Sequence, residues 1–278
     1  MYQNKHWDGH FSGHLAPQLF YPLIAGIASS EQAQRMVQVH LLNEEEFWGP
    51  YVIPASPRNS DAYAQQEYWR GRIWGPLNYL VGEGLRRYGY DAVMESLAQK
   101  SLDVFRAEWE NEGHIHENYN ANTGDGDDHP WSDPFYHFGA LLAYTALQEM
   151  ADAEVWHGWR FGNLKPQEAS FRQIRLDEGL MDIQTQARGL QVTLNGQVLL
   201  LIDRPVIVRG FRQLSESLQF SISAETTGGL ARLIVGCLPV GHLVTVITNN
   251  RSQQARTSDQ GQIELSTTLP NMIQIHWS

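Results

Sequence analysis

Two stretches of this chain hold side chains that together suit sugar chemistry. One is Tyr68-Trp69-Arg70-Gly71-Arg72-Ile73-Trp74-Gly75-Pro76-Leu77-Asn78-Tyr79-Leu80, and the other is His116-Glu117-Asn118-Tyr119-Asn120. Flat aromatic faces pack against the C–H surfaces of a pyranose, while Arg forks and Asn amides hold hydroxyls that would otherwise lose their water unreplaced. Bulky groups at this density have only middling helix propensity, so a helix alone does not account for them. A single Trp is most often a core residue, but Arg70 and Arg72, placed between Trp69 and Trp74, argue against full burial of the pair. Glu117 is the candidate catalytic carboxylate. Alone it would read as surface decoration. Its neighbours Asn118, Tyr119 and Asn120, and the polar loop 123–128, supply hydrogen bonds that could keep it ionised in a partly dry pocket, ready to activate a water.

The link Phe47-Trp48-Gly49-Pro50 and Ile53-Pro54-Ala55-Ser56-Pro57-Arg58 is too rich in Trp and Arg for a plain solvated turn, so Trp48 and Arg58 join the candidate binding residues. Other clusters carry less. His6, His10 and His14 recur every four residues, but Gly9 and Gly13 disfavour the helix that a shared metal would need. His114-Ile115-His116 lacks a completing Cys or His pair, and the Asn and Asp residues of 118–128 miss the offsets of a calcium loop. No metal and no cofactor is expected. Gly26, Gly82 and Gly84 stand isolated in helical pattern, as close-packing positions. Cys237, the only cysteine, lies among Leu233, Ile234, Val235 and Leu238 and reads as an inert buried thiol.

The elements that must position these residues follow two periods. Up to about residue 160 the pattern is helical. Ser29 and Gln32 fit a capping box that opens a helix toward Leu42. Leu77, Leu80, Val81 and Leu85 form one face of the next, Asp91 can cap a third carrying Val93, Leu97, Phe105 and Trp109, and a last one starts at about Ser132. A shorter helix around residues 17–28 brings the number to five or six. In residues 161–278 the pattern is strand-like: Asn195-Gly196 between 191–194 and 197–200 is a hairpin signal, because both turn positions need positive φ. Runs 218–222, 243–247 and 272–275 follow, and an antiparallel β-sandwich is the natural product. The domains are therefore 1–160 and 161–278, a comfortable division for 278 residues.

The net charge of −11, concentrated before residue 160, excludes nucleic acid as a partner. Absence of a long apolar run argues against a membrane. Residues 1–6 show no signal-peptide pattern, so a cytoplasmic location is expected.

The run Tyr68–Leu80, His116–Asn120 with Thr123-Gly124, and Pro134-Phe135-Tyr136-His137-Phe138-Gly139-Ala140-Leu141-Leu142 resemble glycoside hydrolase family 63, nearest to its bacterial mannosylglycerate and glucosylglycerate hydrolases. Leu15–Leu23, Phe47-Trp48-Gly49 and Ser56-Pro57-Arg58 are similar too, so the resemblance covers about residues 11–150. It implies a mainly α fold, a partial (α/α)6 toroid with about half of the helices, followed here by the β-sandwich, and hydrolysis with inversion. Glu117 matches the family's general base, and Tyr68, Trp69 and Trp74 match aromatic residues of its sugar pocket. Arg70, Asn78, Tyr119, Trp48 and Arg58 complete the expected substrate-binding set, with Arg58, Arg70 or Arg72 suited to a glycerate carboxylate.

Inversion needs a second carboxyl, a general acid roughly 6.5–9.5 Å from the base. In the family that acid lies on the first half of the toroid, and Asp8, the only acid upstream of the matched motifs, has no family motif around it. One expectation is the C-terminal part of an inverting hydrolase of a small α-glycoside such as mannosylglycerate or glucosylglycerate, inactive alone, its first half-toroid supplied elsewhere, for instance by a separate chain. The alternative is a non-catalytic carbohydrate-binding or partner subunit. An aromatic floor kept together with Glu117 favours the first, since a binder has no need of a base. With Trp277 as its one Trp, the 161–278 domain is expected as a structural cap, and trehalase-like, α-glucosidase or rhamnosidase-like substrates stay open.

Overall fold

The computed structural model describes residues 2–154, 158–165, 168–249 and 251–277. They divide into two units, Met1–Leu147 and Gln148–Ser278. The strands of the second unit begin at Ala151, ahead of the change of period near 160. Among the described residues no helix is long and apolar enough to cross a membrane.

In the first unit a 3-10 turn, Pro17–Phe20, runs into α1 (Tyr21–Ala25). Gly26 ends it as a left-handed C-cap with φ 67°, so this glycine serves a cap and not a helix interior. The capping box forms at α2 (Ser30–Arg35): Ser29 Oγ accepts from Gln32 N at 3.2 Å, and Gln32 Oε1 accepts from Ser29 N at 2.8 Å. A π-helical turn, Met36–Leu41, continues it and buries Met36, Val37 and Leu41. β1 (Ile73–Trp74) leads directly into α3 (Gly75–Arg87), where a Cβ on Gly84 would lie 2.7 Å from Leu23 Cβ; this is the close approach expected of that glycine. α4 (Asp91–Glu112) follows, with Tyr90 and not Asp91 at its N-cap and Gly113 at its C-cap. After β2 (Asn118–Tyr119) comes α5 (Ala140–Met150). It starts later than the apolar pattern suggests, because residues 133–135 pair their backbone with residues 115–117 instead of coiling. Phe20, Leu23, Met36, Leu41, Phe47, Val81, Leu85, Met94 and Leu97 form its main core.

The second unit consists of two antiparallel sheets. Seven strands lie in the order Arg251–Arg256, Leu243–Thr248, Asn271–His276, Ser217–Ser223, Ile207–Gln213, Gly158–Gly162, Ala151–Glu154. Six more lie in the order Ile263–Thr268, Leu230–Val235, Gln197–Ile202, Gly189–Leu194, Gly179–Gln186, Ala169–Leu176. Burial alternates along them, as in Ile263–Thr268, and the inward residues of both sheets, among them Val208, Phe220, Val246, Ile273, Ile183, Val192, Leu200 and Leu233, join one apolar cluster. Each such residue contributes about 1.5–3 kcal/mol by leaving water. The hairpin forms as its sequence indicates, with Asn195 at φ 51° and Gly196 at φ 78°. Cys237 is half-buried, not sealed in the core. It sits at φ 56°, and burial still pushes its thiol up.

Candidate active site

Backbone pairing joins the two stretches. Ile73 pairs with Tyr119 and Trp74 with Asn118 between β1 and β2, which sets Glu117 one residue beyond the paired segment. On the other side of Glu117, its N–H donates to Asp133 O at 2.9 Å and His116 bridges Pro134.

The aromatic group is built on a tight turn. Glu67 and Arg70 exchange backbone hydrogen bonds of 3.1 and 2.6 Å, so Tyr68 and Trp69 occupy the tip. Tyr68 sits at φ 42°, a conformation that costs a bulky residue roughly 1–3 kcal/mol and persists where the surroundings impose it. Two contacts impose it here. Trp74 Nε1 donates to Tyr68 O at 3.1 Å, and the Tyr68 ring meets Trp74 edge-on at 4.9 Å. Trp69 stacks on Trp74 at 3.7 Å, with the planes 8° apart. Trp74 has no exposed surface, whereas Trp69 is 45% exposed. This corrects the expectation that both rings face a sugar: Trp74 is the foundation, and Trp69 carries the free face.

Glu117 is buried, 7% exposed. Asn118 Nδ2 donates to its Oε2 at 3.3 Å, and the Tyr68 hydroxyl also donates to it. Burial pushes the carboxyl up, the charge of Asp133 adds to the rise, and the two donors only partly offset them, so Glu117 sits above the usual carboxylate range. The Tyr68 hydroxyl is raised too, by burial first and then by Glu117, Tyr136 and Asp133, so it stays a donor. A carboxylate poised in this way suits general-base activation of a water.

Behind it lies a network that the sequence did not indicate. Arg72, expected at the surface, has no exposed area. Its guanidinium donates to Asn118 Oδ1, pairs with Asp128 at 2.8 Å, and reaches the carbonyls of Gln66 and Asp125 at 3.4 Å. With Oδ1 taken by Arg72, the Asn118 amide nitrogen is turned to Glu117, so Arg72 orients the Glu117 carboxyl through Asn118. Burial pushes Asp128 up, but the hydrogen bonds from Arg72 and Asn120 and the Arg72 charge outweigh it, holding the carboxyl below its usual range. Buried Glu108 accepts from His116 Nδ1 and from Gly126 N, the latter at 3.3 Å, and so fixes the residue before Glu117.

The other expected binding residues are placed differently. Asn78 is fully buried and holds the loop before the site, accepting from Ile53 N at 2.6 Å and donating to Val52 O and Ser101 Oγ. Tyr119 is also fully buried, its hydroxyl accepting from His116 N at 3.1 Å and pushed well up by burial. Neither has surface to offer a sugar; both brace the elements that carry Glu117. Arg70 is exposed beside Trp69 and donates to Gln65 Oε1. Arg58 donates to the Tyr63 hydroxyl at 2.7 Å, which in turn donates to Asn122, and half-buried Trp48 lies under Lys100 at 6.0 Å.

Residues 4–137 match the model of the mannosylglycerate hydrolase MGH1-like glycoside hydrolase domain. A mannosylglycerate hydrolase of Thermus thermophilus is 34% identical over 110 residues, 38% of this chain and 24% of that one. Mannosylglycerate hydrolase MGH1 of Selaginella moellendorffii is 32% identical over 109 residues, 38% of this chain and 20% of its own length. Residues 4–137 belong to glycoside hydrolase family 63, on its mannosylglycerate hydrolase-like branch. The matched stretch spans about a fifth to a quarter of these family-63 relatives. A periplasmic trehalase of Pseudomonas aeruginosa is 29% identical over 119 residues, 41% of this chain and 21% of the trehalase. A solved family-63 mannosylglycerate hydrolase from Thermus thermophilus, in complex with glucose, overlaps with a TM-score of 0.40 and 25% identity over 51% of this chain and 31% of that one, too partial to define a shared fold. Tyr68, Trp69, Trp74 and Glu117 all lie inside the family-63 segment, as do the Arg72 and Glu108 supports.

Proposed function

We infer that residues 1–147 supply the base side of an inverting glycoside hydrolase acting on a small α-glycoside such as mannosylglycerate or glucosylglycerate. The observation that carries this is one arrangement: a buried Glu117 held by Asn118 and by Tyr68, whose chain neighbour Trp69 lies 45% exposed on its Trp74 base. Glu117 takes the proton of a water that attacks the anomeric carbon, Trp69 packs against the ring, and the exposed Arg70 is placed for a glycerate carboxylate. The general acid comes from polypeptide outside these residues, in the same chain or a separate one, as the other half of an (α/α)6 toroid. The two-sheet unit is a β-sandwich.

The test joins binding to turnover. Residues 1–278 alone should bind mannosylglycerate or glucosylglycerate, read by calorimetry or Trp fluorescence, and turn over neither. Clear turnover by these residues alone would refute the placement of the acid. In the natural assembly, proton NMR should show the β-anomer as the first sugar released; the α-anomer would sink inversion. Binding without turnover in that assembly would make the protein a carbohydrate-binding subunit instead.

A further inference from the structure

Glu117 has a second carboxylate opposite it. His116 bridges Pro134 in an antiparallel pair, Glu117 N donates to Asp133 O at 2.9 Å, and Phe135 N donates to Ile115 O at 2.7 Å. These two bonds flank the His116/Pro134 position and set Glu117 directly opposite Asp133. Opposed residues of an antiparallel pair project to the same face, with Cβ atoms about 4.5–5.5 Å apart. Glu117 is the buried member of the pair and Asp133 the exposed one, at the solvent side. Like charges opposed across strands destabilise the pairing, so the arrangement points to chemistry more than to folding.

Resting on the hydrolase reading above, we propose that Asp133 is the second acceptor for the attacking water, holding one of its hydrogens while Glu117 takes the other. Two acceptors on one face, each at about 2.7–2.8 Å from the water oxygen, fit the spacing of the pair and leave a lone pair free for the anomeric carbon. In the step, the water oxygen bonds to that carbon as one proton passes to Glu117. The glycosidic C–O bond breaks, and the leaving oxygen takes a proton from a carboxylic acid outside residues 1–278. The second hydrogen stays on the product hydroxyl, bonded to Asp133 until release. The groups facing Glu117 come from three segments: Tyr68 from the turn, Asn118 from its own strand and Asp133 from the opposing segment. The Asp133 charge, second to burial, also pushes Glu117 up, which fits a short separation of the two carboxyls.

The experiment uses the natural assembly with mannosylglycerate as the probe. Asp133→Ala should lower kcat about 10–100-fold with KM within about two-fold. Asp133→Asn keeps an acceptor oxygen without the charge. It should retain most of kcat and move the acidic limb of kcat/KM to lower pH, because Glu117 loses a neighbouring negative charge. An unchanged kcat in Asp133→Ala, or a fixed limb in Asp133→Asn, overturns the proposal. A wild type that hydrolyses no glycoside sinks the hydrolase reading instead. Carbon-13 NMR titration of the Glu117 carboxyl then decides on the pair: it should titrate lower in Asp133→Asn than in wild type, and coincident curves overturn the pairing.

Discussion

In the two-sheet unit the core from Phe161 to Ile275 is an apolar cluster fed by strands of alternating burial, and the buried ion pair of Arg160 with Glu149, at 2.7 Å, involves residues outside that cluster. In the helical unit Arg72, Asn78 and Asn118 have no exposed surface, and His116 and Glu117 are buried beside Trp74 and Tyr119. Burying polar groups costs unless each finds a partner, so a region that gathers them into a connected network has traded stability for position. Tyr68 marks the same trade in the backbone, at a φ of 42° that suits neither a helix nor a strand.

The sharpest break of this contrast is Glu117→Gln. Turnover in the natural protein should fall about 10²–10⁴-fold, the range of general-base catalysis, while the affinity for the saccharide is kept. Steady-state kinetics and calorimetry on the same preparation measure both. Unchanged turnover would strip Glu117 of its role, and lost affinity would make it a binding group.

Next in size are matched core changes in the two units. Arg72→Met leaves Asp128 and Asn118 without their guanidinium and should cost about 3–5 kcal/mol of stability, the scale for breaking a buried pair, and should weaken sugar binding too. Phe220→Ala should cost the two-sheet unit about 3–5 kcal/mol and leave sugar binding alone. Denaturation curves with calorimetry on both variants separate these outcomes; equal binding loss in both would erase the contrast. The Arg72 penalty should also shrink in acid. Asp128 is held below its usual range, so the stability it contributes is present above the unfolded carboxylate pKa and is lost as pH falls through the folded one.

The stacked tryptophans divide the same way within one turn. Trp69→Ala should cost about 1–3 kcal/mol of saccharide affinity with little effect on stability. Trp74→Ala should cost about 3–5 kcal/mol of stability, because it empties a buried site under Trp69. Fluorescence titration and thermal denaturation of the pair test this; loss of stability in Trp69→Ala alone would reverse the assignment.

That reversal of roles was not legible in the sequence. The strand that buries Trp74 is only two residues long, too short for period-2 alternation to show, so Arg72 looked like evidence of exposure when it is the centre of an internal network. The register of α4 was also hidden. Its inner stripe runs Met94, Leu97, Ala98, Ser101, Val104, Glu108, while Trp109 is 53% exposed and stacks with Phe105 at 6.1 Å outside it. Ser101 and Glu108 take inner positions because Asn78 and His116 require them, and hydropathy cannot show this. What could be read were features with a local cause. The Ser29/Gln32 cap needs only its own turn, Asn195-Gly196 needs only positive φ, and Tyr68, Trp69 and Glu117 stand out because their chemistry suits no plain structural purpose.

A smaller effect links charge to stability. Glu117 is held above the usual carboxylate range, so the folded state binds its proton more tightly than the unfolded state, and stability is lost as pH rises from the unfolded value through the folded one. Glu117→Gln should therefore raise Tm at pH 7 and leave it nearly unchanged in acid below that window. A Tm that falls at pH 7 would mean that the donors to Glu117 outweigh its burial.

The smallest effect belongs to the regular unit and tests whether strain there is merely structural. Asn195 holds φ 51° in its hairpin, its side-chain oxygen accepts from Leu180 N at 3.0 Å, and its nitrogen donates to Glu178 O at 3.0 Å. Ala has neither group and resists the left-handed region, so Asn195→Ala should cost about 1–2 kcal/mol. Asn195→Gly, free in φ, should cost less. Neither should alter saccharide affinity, because the left-handed Asn195 serves only its hairpin and the neighbouring turn at Glu178–Leu180, whereas left-handed Tyr68 answers to the carboxylate it must reach. Denaturant midpoints with calorimetry on both variants check this. A change in affinity at Asn195 would show that backbone strain in the sheets serves the sugar as well.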